Sequence, residues 1–278
     1  MDAQSKLWQE IDDATVPSGT IAVWWLYQAG LVVKSPGGTI VVIDPYLSDA
    51  VLRSYRQPRN VPAPLDPAHV QLDAVLASHS HEDHLDPDSI GSFASHDATR
   101  FMGPPMVAEK VIAAGVPAER TIVLTRGDQV AIGDIEVRAV YARHPFAPEP
   151  VPDAVGYVLR AGEVSIYHSG DTEYDAEIVK DASGVSAAFI AMNGTAGNMN
   201  AHEAALLAWR LGTALAVPFH YGLWTDAGYG EGATLDPQWF VDTLSRLDPT
   251  RQSLVLTPGK RVLLTLGGVA NTELPMPS

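Results

Sequence analysis

The sequence predicts an α/β fold: a sandwich of two sheets flanked by helices, in one domain. Three observations lead there. Apolar residues alternate between Thr20 and Pro45 with turn residues between the runs, short apolar runs alternate with amphipathic segments in each half of the chain, and neither an internal repeat nor a Gly- or Ser-rich linker divides the halves. A length of 278 residues, 46% of them hydrophobic, suffices for one large core. A single domain over 1–278 with a polar leader at 1–18 is the expected organisation.

Taken in order, Ala22, Trp24 and Leu26 alternate, Gly30 breaks the run, and VVK, the turn-like SPGGT and TIVVIDP complete a β-meander. Tyr46 to Val70 is rich in Pro and Arg without sustained period, a long excursion of the kind that usually carries function. DAVLAS reads as a buried strand, and a helix is expected from Pro87 to Phe93 with Asp86 as its cap. RFMG and TIVLT are strands around a helix, PPMVAEKVIAAG, that Gly115 ends. VAIGDIEVRAVYA turns at Gly133-Asp134 as a hairpin, and GYVLRAGEVSIYHSGD repeats the device before a polar loop. AAFIAMNG is a strand. NMNAHEAALLAWRLG has the Asn200/Glu203 spacing of a capping box and a terminal Gly212. ALAVPFH returns to a sheet, DPQWFVDTLSRL is amphipathic, and SLVLTP and RVLLTL close the chain.

Composition narrows the chemistry. With 33 Asp and Glu against 18 Lys and Arg, the formal net charge is −15, which disfavours long nucleic acid and anionic membranes. Without cysteine there is no disulfide, thiolate nucleophile or thiolate metal ligand. The opening MDAQSKLWQEIDD lacks the basic and apolar regions of a signal peptide, and IAVWWLYQAGLVV is too short to span about 30 Å of hydrocarbon as a helix. A cytoplasmic protein with a small-molecule substrate is expected. Trp24-Trp25 and the apolar helix faces could serve a homo-oligomer interface as well as a core.

The densest chemistry is in AVLASHSHEDHLD. In an extended segment His79 and His81 point to one side, so two imidazoles can grip one ion, while a turn at Glu82 would present Asp83 and His84 to a second ion nearby. A solvated loop whose histidines cap a helix is the alternative. Three further candidates also stand where apolar strands run out: His144 after VRAVYA, Asp171 in HSGDT and His220 after ALAVPF. Each has an ordinary reading beside it: an exposed loop histidine, an Asx turn, and a strand-end residue bonded to backbone. His168 could orient a ligand or simply be a buried, internally bonded histidine. His202, in the first turn of a helix, is read as ordinary, and nothing argues for His69 or His96.

SHSHEDH resembles the HxHxDH signature of the metallo-β-lactamase-fold hydrolases, and His144, Asp171 and His220 match that family's remaining ligand pattern in order and setting. The resemblance implies a four-layer αββα sandwich. It implies that His79, His81 and His144 hold one metal, that Asp83, His84 and His220 hold a second, and that Asp171 bridges. Within the superfamily the chain is similar to the L-ascorbate-6-phosphate lactonase group, through PSGTIAVWWLYQAGLVVKSPGGT, DAVLASHSHEDHLD, GVPAERTIVLTRGD, SIYHSGDT and AVPFHYGLW. This implies a divalent cofactor, one or two ions per chain, Zn2+ or Mn2+.

The expected activity is hydrolysis of a lactone, amide or phosphodiester centre by activated water, with Asp83 or Asp171 as proton carrier; the resemblance implies a lactone of a small anionic molecule, such as a sugar phosphate, as substrate. Tyr46, Arg53, Tyr55, Arg56, Arg143, Tyr221 and Trp224 are candidate substrate contacts, because an arginine beside an aromatic suits an anionic ring; each could equally be a surface or packing residue. Three alternatives remain open. They are a phosphodiesterase acting on a small nucleotide or cyclic phosphate, a diiron electron-transfer protein and a non-catalytic metal-binding module.

Overall fold

The first apolar run sends alternate side chains to opposite faces, and both faces are covered, so all five residues of its strand are buried. Ile21, Val23 and Trp25 face a second sheet, whereas Ala22 and Trp24 face helices. The computed structural model describes residues 3–145 and 150–270. Helix α1 (Ala3–Asp13) precedes the antiparallel strands β1 (Ile21–Trp25), β2 (Leu31–Lys34) and β3 (Ile40–Ile43). Then come α2 (Ala50–Tyr55), β4 (Ala74–Leu76), α3 (Ile90–Ala94), β5 (Arg100–Gly103), α4 (Pro105–Ala113) and β6 (Thr121–Val123). The hairpins β7 (Gln129–Ile132)/β8 (Ile135–Tyr141) and β9 (Val155–Ala161)/β10 (Val164–His168) lead into α5 (Ala176–Ala182), β11 (Ala187–Ala191), α6 (Ala201–Leu211) and β12 (Leu215–Phe219). The described chain ends through α7 (Asp226–Tyr229), α8 (Pro237–Leu247), β13 (Gln252–Ser253), β14 (Arg261–Thr265) and β15 (Gly268–Val269).

One sheet has the order β15-β14-β1-β2-β3-β4-β5-β6 and the other β13-β12-β11-β10-β9-β8-β7. In each, a run of parallel strands (β3 to β6, β10 to β13) adjoins antiparallel neighbours. One core cluster fills the space between the sheets and continues under α5, α6 and α8; a second lies between the first sheet and α1, α3 and α4. The layers are therefore helix, sheet, sheet, helix, as the resemblance implies. Among the described residues no helix is long and apolar enough to cross a membrane.

Several local expectations change. The leader forms α1, whose Ile11 is fully buried and whose C-terminal carbonyls at Ile11 and Asp12 accept from Lys34 Nζ at 3.0 and 2.6 Å. The helix expected over 87–93 is instead a turn followed by α3 at Ile90–Ala94. Asp86 does accept from Asp88 N (3.1 Å) and Ser89 Oγ (2.6 Å) at the start of that turn, and its carboxylate also accepts from Leu47 N (2.9 Å) and Ser48 Oγ (2.6 Å), which ties the excursion to the histidine loop. SLVLTP contributes to β13 only through Ser253. Trp24 and Trp25, 0% and 2% exposed, are core residues on opposite faces of β1 and offer no surface to a partner. The capping box forms as expected, with Asn200 accepting from Glu203 N and Glu203 accepting from Asn200 N, and Gly212 closes α6 at φ +67°.

Candidate metal centre

Strand ends at one rim of the sandwich deliver the polar groups. β3 runs into Asp44, β4 into His79, β8 into His144, β10 into Asp171 and β12 into His220. The loop after β4 turns back on itself, His84 N and Leu85 N both donating to His81 O, so His84 comes round to face His79 at a ring separation of 4.1 Å. His79, His84 and His144 are buried, Asp171 is 5% exposed and His220 2%.

The ligand-type atoms fall into overlapping groups, each within 4.8 Å: His79, His81 and His144; Asp83, His84 and His220; and His79, His84 and Asp171. Their separations are short. His79 Nε2 is 2.8 Å from His81 Nδ1, and His144 Nε2 is 3.3 Å from the same atom. His84 Nε2 lies 3.2 Å from His220 Nε2 and 3.2 Å from Asp171 Oδ1, which is 2.9 Å from His220 Nε2. Asp83 Oδ2 stands 3.6 and 3.8 Å from the Nε2 atoms of His84 and His220.

Hydrogen bonds behind the rings decide which nitrogen carries a proton. Asp44 Oδ2 is 2.8 Å from His84 Nδ1, and a carboxylate only accepts, so the proton sits on Nδ1 and His84 Nε2 presents a lone pair. Ser78 Oγ donates to the same carboxylate at 2.6 Å, leaving its oxygen to accept from His79 Nδ1 at 3.0 Å; His79 Nε2 is then also a lone pair. Lone pairs and carboxylate oxygens thus face one another in a buried space, which is repulsive unless a cation occupies it. This is the donor set and the polarity that a divalent ion requires. Burial holds the His79 imidazole well below its ordinary range, reinforced by the neighbouring His84. Burial alone would lower His84 as well, but the carboxylates of Asp171, Asp83 and Asp44 outweigh it and push that imidazole well up, the same attraction for positive charge that an ion on the Nε2 lone pair of the neutral ring would satisfy. For Asp171 burial acts upward, and His220 and His84 overcome it to hold the carboxyl well down.

Two residues of this support were not foreseen. Asp44 is fully buried at φ +47° and also accepts from Ser78 N at 2.6 Å; the only signal was an acid closing the apolar run TIVVID. Gln28, also fully buried and at φ +45°, sits in a two-residue turn where its carbonyl accepts from Trp25 Nε1 (2.9 Å) and His220 N (3.0 Å). Its side-chain amide lies between His220 Nδ1, at 3.4 Å, and the hydroxyl of Tyr229. A glutamine inside an apolar run gave that signal, had it been read as a buried amide needing partners. His168 is the buried, internally bonded histidine: Nε2 donates to Ala29 O at 2.8 Å and Nδ1 accepts from Gly170 N at 3.2 Å, joining the Gln28 turn to the Asp171 loop. His202 bonds Thr243 at 2.7 Å near the surface, and His69 pairs with Asp66, both outside the cluster.

Above the cluster opens a cavity of about 170 Å³. His81, Asp83, His144, Asp171 and His220 form its floor. Val51 and Tyr55 of α2, with Trp224, Tyr229 and Ala196, form apolar walls, and Gln57, Asn193 and Thr195 supply neutral polar groups. Of the expected substrate contacts, Tyr55 and Trp224 reach this cavity. The others do not line it. Arg53 is held outside by Asp88, both nitrogen–oxygen distances being 2.7 Å, Arg143 pairs with Glu173 at 3.0 Å, and Arg56 is an exposed residue ending α2. Tyr46 is buried beneath the wall, where its hydroxyl accepts from Val51 N, and Tyr221 packs on Trp25 at 5.1 Å. The arginine-plus-aromatic argument for an anion therefore loses its arginines.

Comparison with known proteins agrees with this geometry. The model of the beta-lactamase superfamily domain matches residues 39–221, from the strand before Asp44 to the residue after His220. The probable L-ascorbate-6-phosphate lactonases UlaG of Escherichia fergusonii and Shigella dysenteriae are each 30% identical over 263 residues, covering 78% of this chain and 74% of theirs. Among solved structures, the metallo hydrolase Igni18 of Ignicoccus hospitalis superposes with a TM-score of 0.67 at 20% identity, over 88% of this chain and 98% of its own. With its αββα layers and histidine–aspartate rim, the chain belongs to the beta-lactamase superfamily, as a metal-dependent hydrolase of the metallo-β-lactamase fold similar to the UlaG lactonases.

Proposed function

We propose that this protein opens the lactone ring of a small molecule by water activated at a mono- or dinuclear centre of Zn2+ or Mn2+. His79, His81 and His144 would hold one ion, Asp83, His84 and His220 the other, and Asp171 would bridge. The observation that carries this is the set of buried acceptors turned toward one another on the floor of an open cavity. Imidazole and carboxylate suit several divalent ions, and an ion held there would supply Lewis acidity that brings the pKa of water down toward about 7. The chain's own residues do the rest. Asp44 and Ser78 fix the tautomers of His84 and His79, and Trp224, Tyr229 and Tyr55 shield the floor from bulk water. Asp83, with its side chain 18% exposed, is placed to accept a proton from water and return it to the ring oxygen that leaves. Lactone as the substrate class is supported by the similarity to the UlaG lactonases over most of the chain.

The test is metal analysis of protein purified without chelator, coupled to a panel of lactones, phosphodiesters and thioesters. The proposal expects one or two equivalents of metal per chain and lactones as the best substrates. Phosphodiesters turned over faster, or no turnover at full metal loading, would overturn it. Asp83→Asn separates two roles for that carboxylate. The expected outcome is a rate lower by about 100-fold or more with at least one equivalent of metal, that of His79, His81 and His144, retained, whereas metal lost in proportion to rate would make Asp83 chiefly a ligand.

A further inference from the structure

The cavity over the histidine–aspartate floor contains a charge mismatch with any phosphorylated substrate. All 18 Lys and Arg of the sequence fall within the described residues, and none of them lines this cavity. Of the cationic groups closest to it in sequence, Arg56, between Tyr55 and Gln57, is exposed at the end of α2 and does not line the cavity, and the others are committed elsewhere. Arg53 is bound by both oxygens of Asp88, Arg143 by Glu173, and Arg59 lies over the Tyr46 ring at 5.0 Å while donating to Tyr46 O at 2.7 Å. Lys110 donates to the carbonyl of Ser80 at 2.7 Å. What the walls offer instead is the apolar bodies of Val51, Tyr55, Trp224 and Tyr229 and the neutral amides of Gln57 and Asn193.

A phosphate monoester carries about −1.5 to −2 charges at neutral pH and is recognised by guanidinium, ammonium or a helix N-terminus. Against these walls it would lose water and meet no cation, only the neutral donors of Gln57, Asn193 and Thr195. The floor cannot serve both ends of one substrate, since the ring carbonyl must occupy it for reaction.

Resting on the lactonase reading above, we infer that the substrate is uncharged away from its reacting ring: a lactone carrying an alkyl or aryl substituent that packs between α2 and the Trp224–Tyr229 segment. The neutral amides of Gln57 and Asn193, through their NH2 groups, can donate to a hydroxyl or ether oxygen on that substituent. The uncharged walls are a property of this chain's own side chains and need no particular metal.

The inference is tested with matched ligands: γ-hydroxymethyl-γ-butyrolactone, its phosphate ester and its benzyl ether. With the metal-loaded enzyme, kcat/KM should be higher for the two neutral lactones than for the phosphate ester by at least about tenfold, a modest cost for one unpartnered charge. Binding is read separately as quenching of tryptophan fluorescence, the part due to the site being that lost in Trp224→Phe. The benzyl ether should quench at lower concentration than the phosphate ester. Tyr55→Arg, on an exposed position of α2, restores a cation to the wall and should narrow the kcat/KM gap severalfold. Equal or faster opening of the phosphate ester overturns the inference while leaving the lactonase activity in place. If none of the three lactones is opened, the lactonase reading fails, and tighter binding of the phosphate ester would then overturn the uncharged-ligand inference independently.

Discussion

At the residue scale, the site depends on single polar groups placed behind the histidines. Asp44 accepts from Ser78 N and Oγ and from His84 Nδ1, so one carboxylate fixes two tautomers, one of them through the serine hydroxyl. Replacing it with alanine should weaken metal binding by about 10- to 100-fold, as removal of such an orienting carboxylate generally does. Competition with a chromogenic chelator measures this directly. Gln28 gives a different readout because its loss strands groups that stay buried. Gln28→Leu removes the amide between His220 Nδ1 and the Tyr229 hydroxyl and should lower stability by about 1–3 kcal/mol in urea titration. The histidines themselves were legible because four of the seven candidate ligands crowd into one loop, where no packing argument accounts for them. Asp44 and Gln28 were not, since each stands alone beside or within an apolar run, and only the fold brings His84 and His220 to them.

At the element scale, strands such as β3, β11 and β12 were legible because both faces are buried and a fully apolar run of four or five residues between turns leaves little alternative; the capping box and Gly212 fixed α6 in the same way. The short helix α2 was hidden in a Pro/Arg-rich segment without period. It is held by tertiary contact, Ala50 and Val51 packing with Tyr46, Leu223, Trp224 and Tyr229. Loops that carry ligands also pack against one another closely enough to forbid a methyl group. Gly170, beside Asp171, has φ +57°, and a Cβ there would lie 2.6 Å from Ser78 Cβ, while Ser78 is fixed by Asp44 and His79 and cannot retreat. Gly170→Ala should therefore cost about 2–4 kcal/mol, the left-handed backbone term and the overlap together. Gly162→Ala is the control: the same left-handed backbone, φ +60°, with nothing within 4 Å, and an expected cost of about 1–2 kcal/mol. Equal denaturation midpoints for the two variants would remove the close approach of the Gly170 and Ser78 loops as an explanation.

At the scale of the whole molecule, the site exists only while two sheets keep their relative position, because β3 and β4 deliver Asp44 and the histidine loop from one sheet and β8, β10 and β12 deliver His144, Asp171 and His220 from the other. The packed apolar core between them is non-directional and does not by itself set that register. A polar clasp does so at the turns. Asp134, in the β7–β8 turn of the second sheet, accepts from Ser35 Oγ, from Gly37 N at 2.8 Å and from Thr39 Oγ1 at 2.7 Å, all in the β2–β3 turn of the first. Burial would raise this carboxyl, but the bonds from Ser35, Thr39 and Gly37 outweigh it and hold it below its ordinary value. A carboxyl depressed in the folded state contributes stability that is fully present above its unfolded pKa of about 3.9 and is lost as pH falls through the lower folded value. Asparagine at this position keeps one acceptor and no charge, so either the bond from Gly37 N is lost or the hydroxyls of Ser35 and Thr39 must accept from the amide where they now donate to the carboxylate. Asp134→Asn should then be less stable than the natural protein by about 1 kcal/mol at pH 7, a figure kept small because the group is exposed to solvent screening. Urea titrations at pH 7, 5 and 3 should show that gap intact at the first two and shrinking at the third, where the natural carboxyl begins to protonate. A gap that stays constant down to pH 3 would mean that the charge of Asp134 contributes nothing to holding the sheets in register, and that the hydroxyl and backbone contacts between the turns suffice.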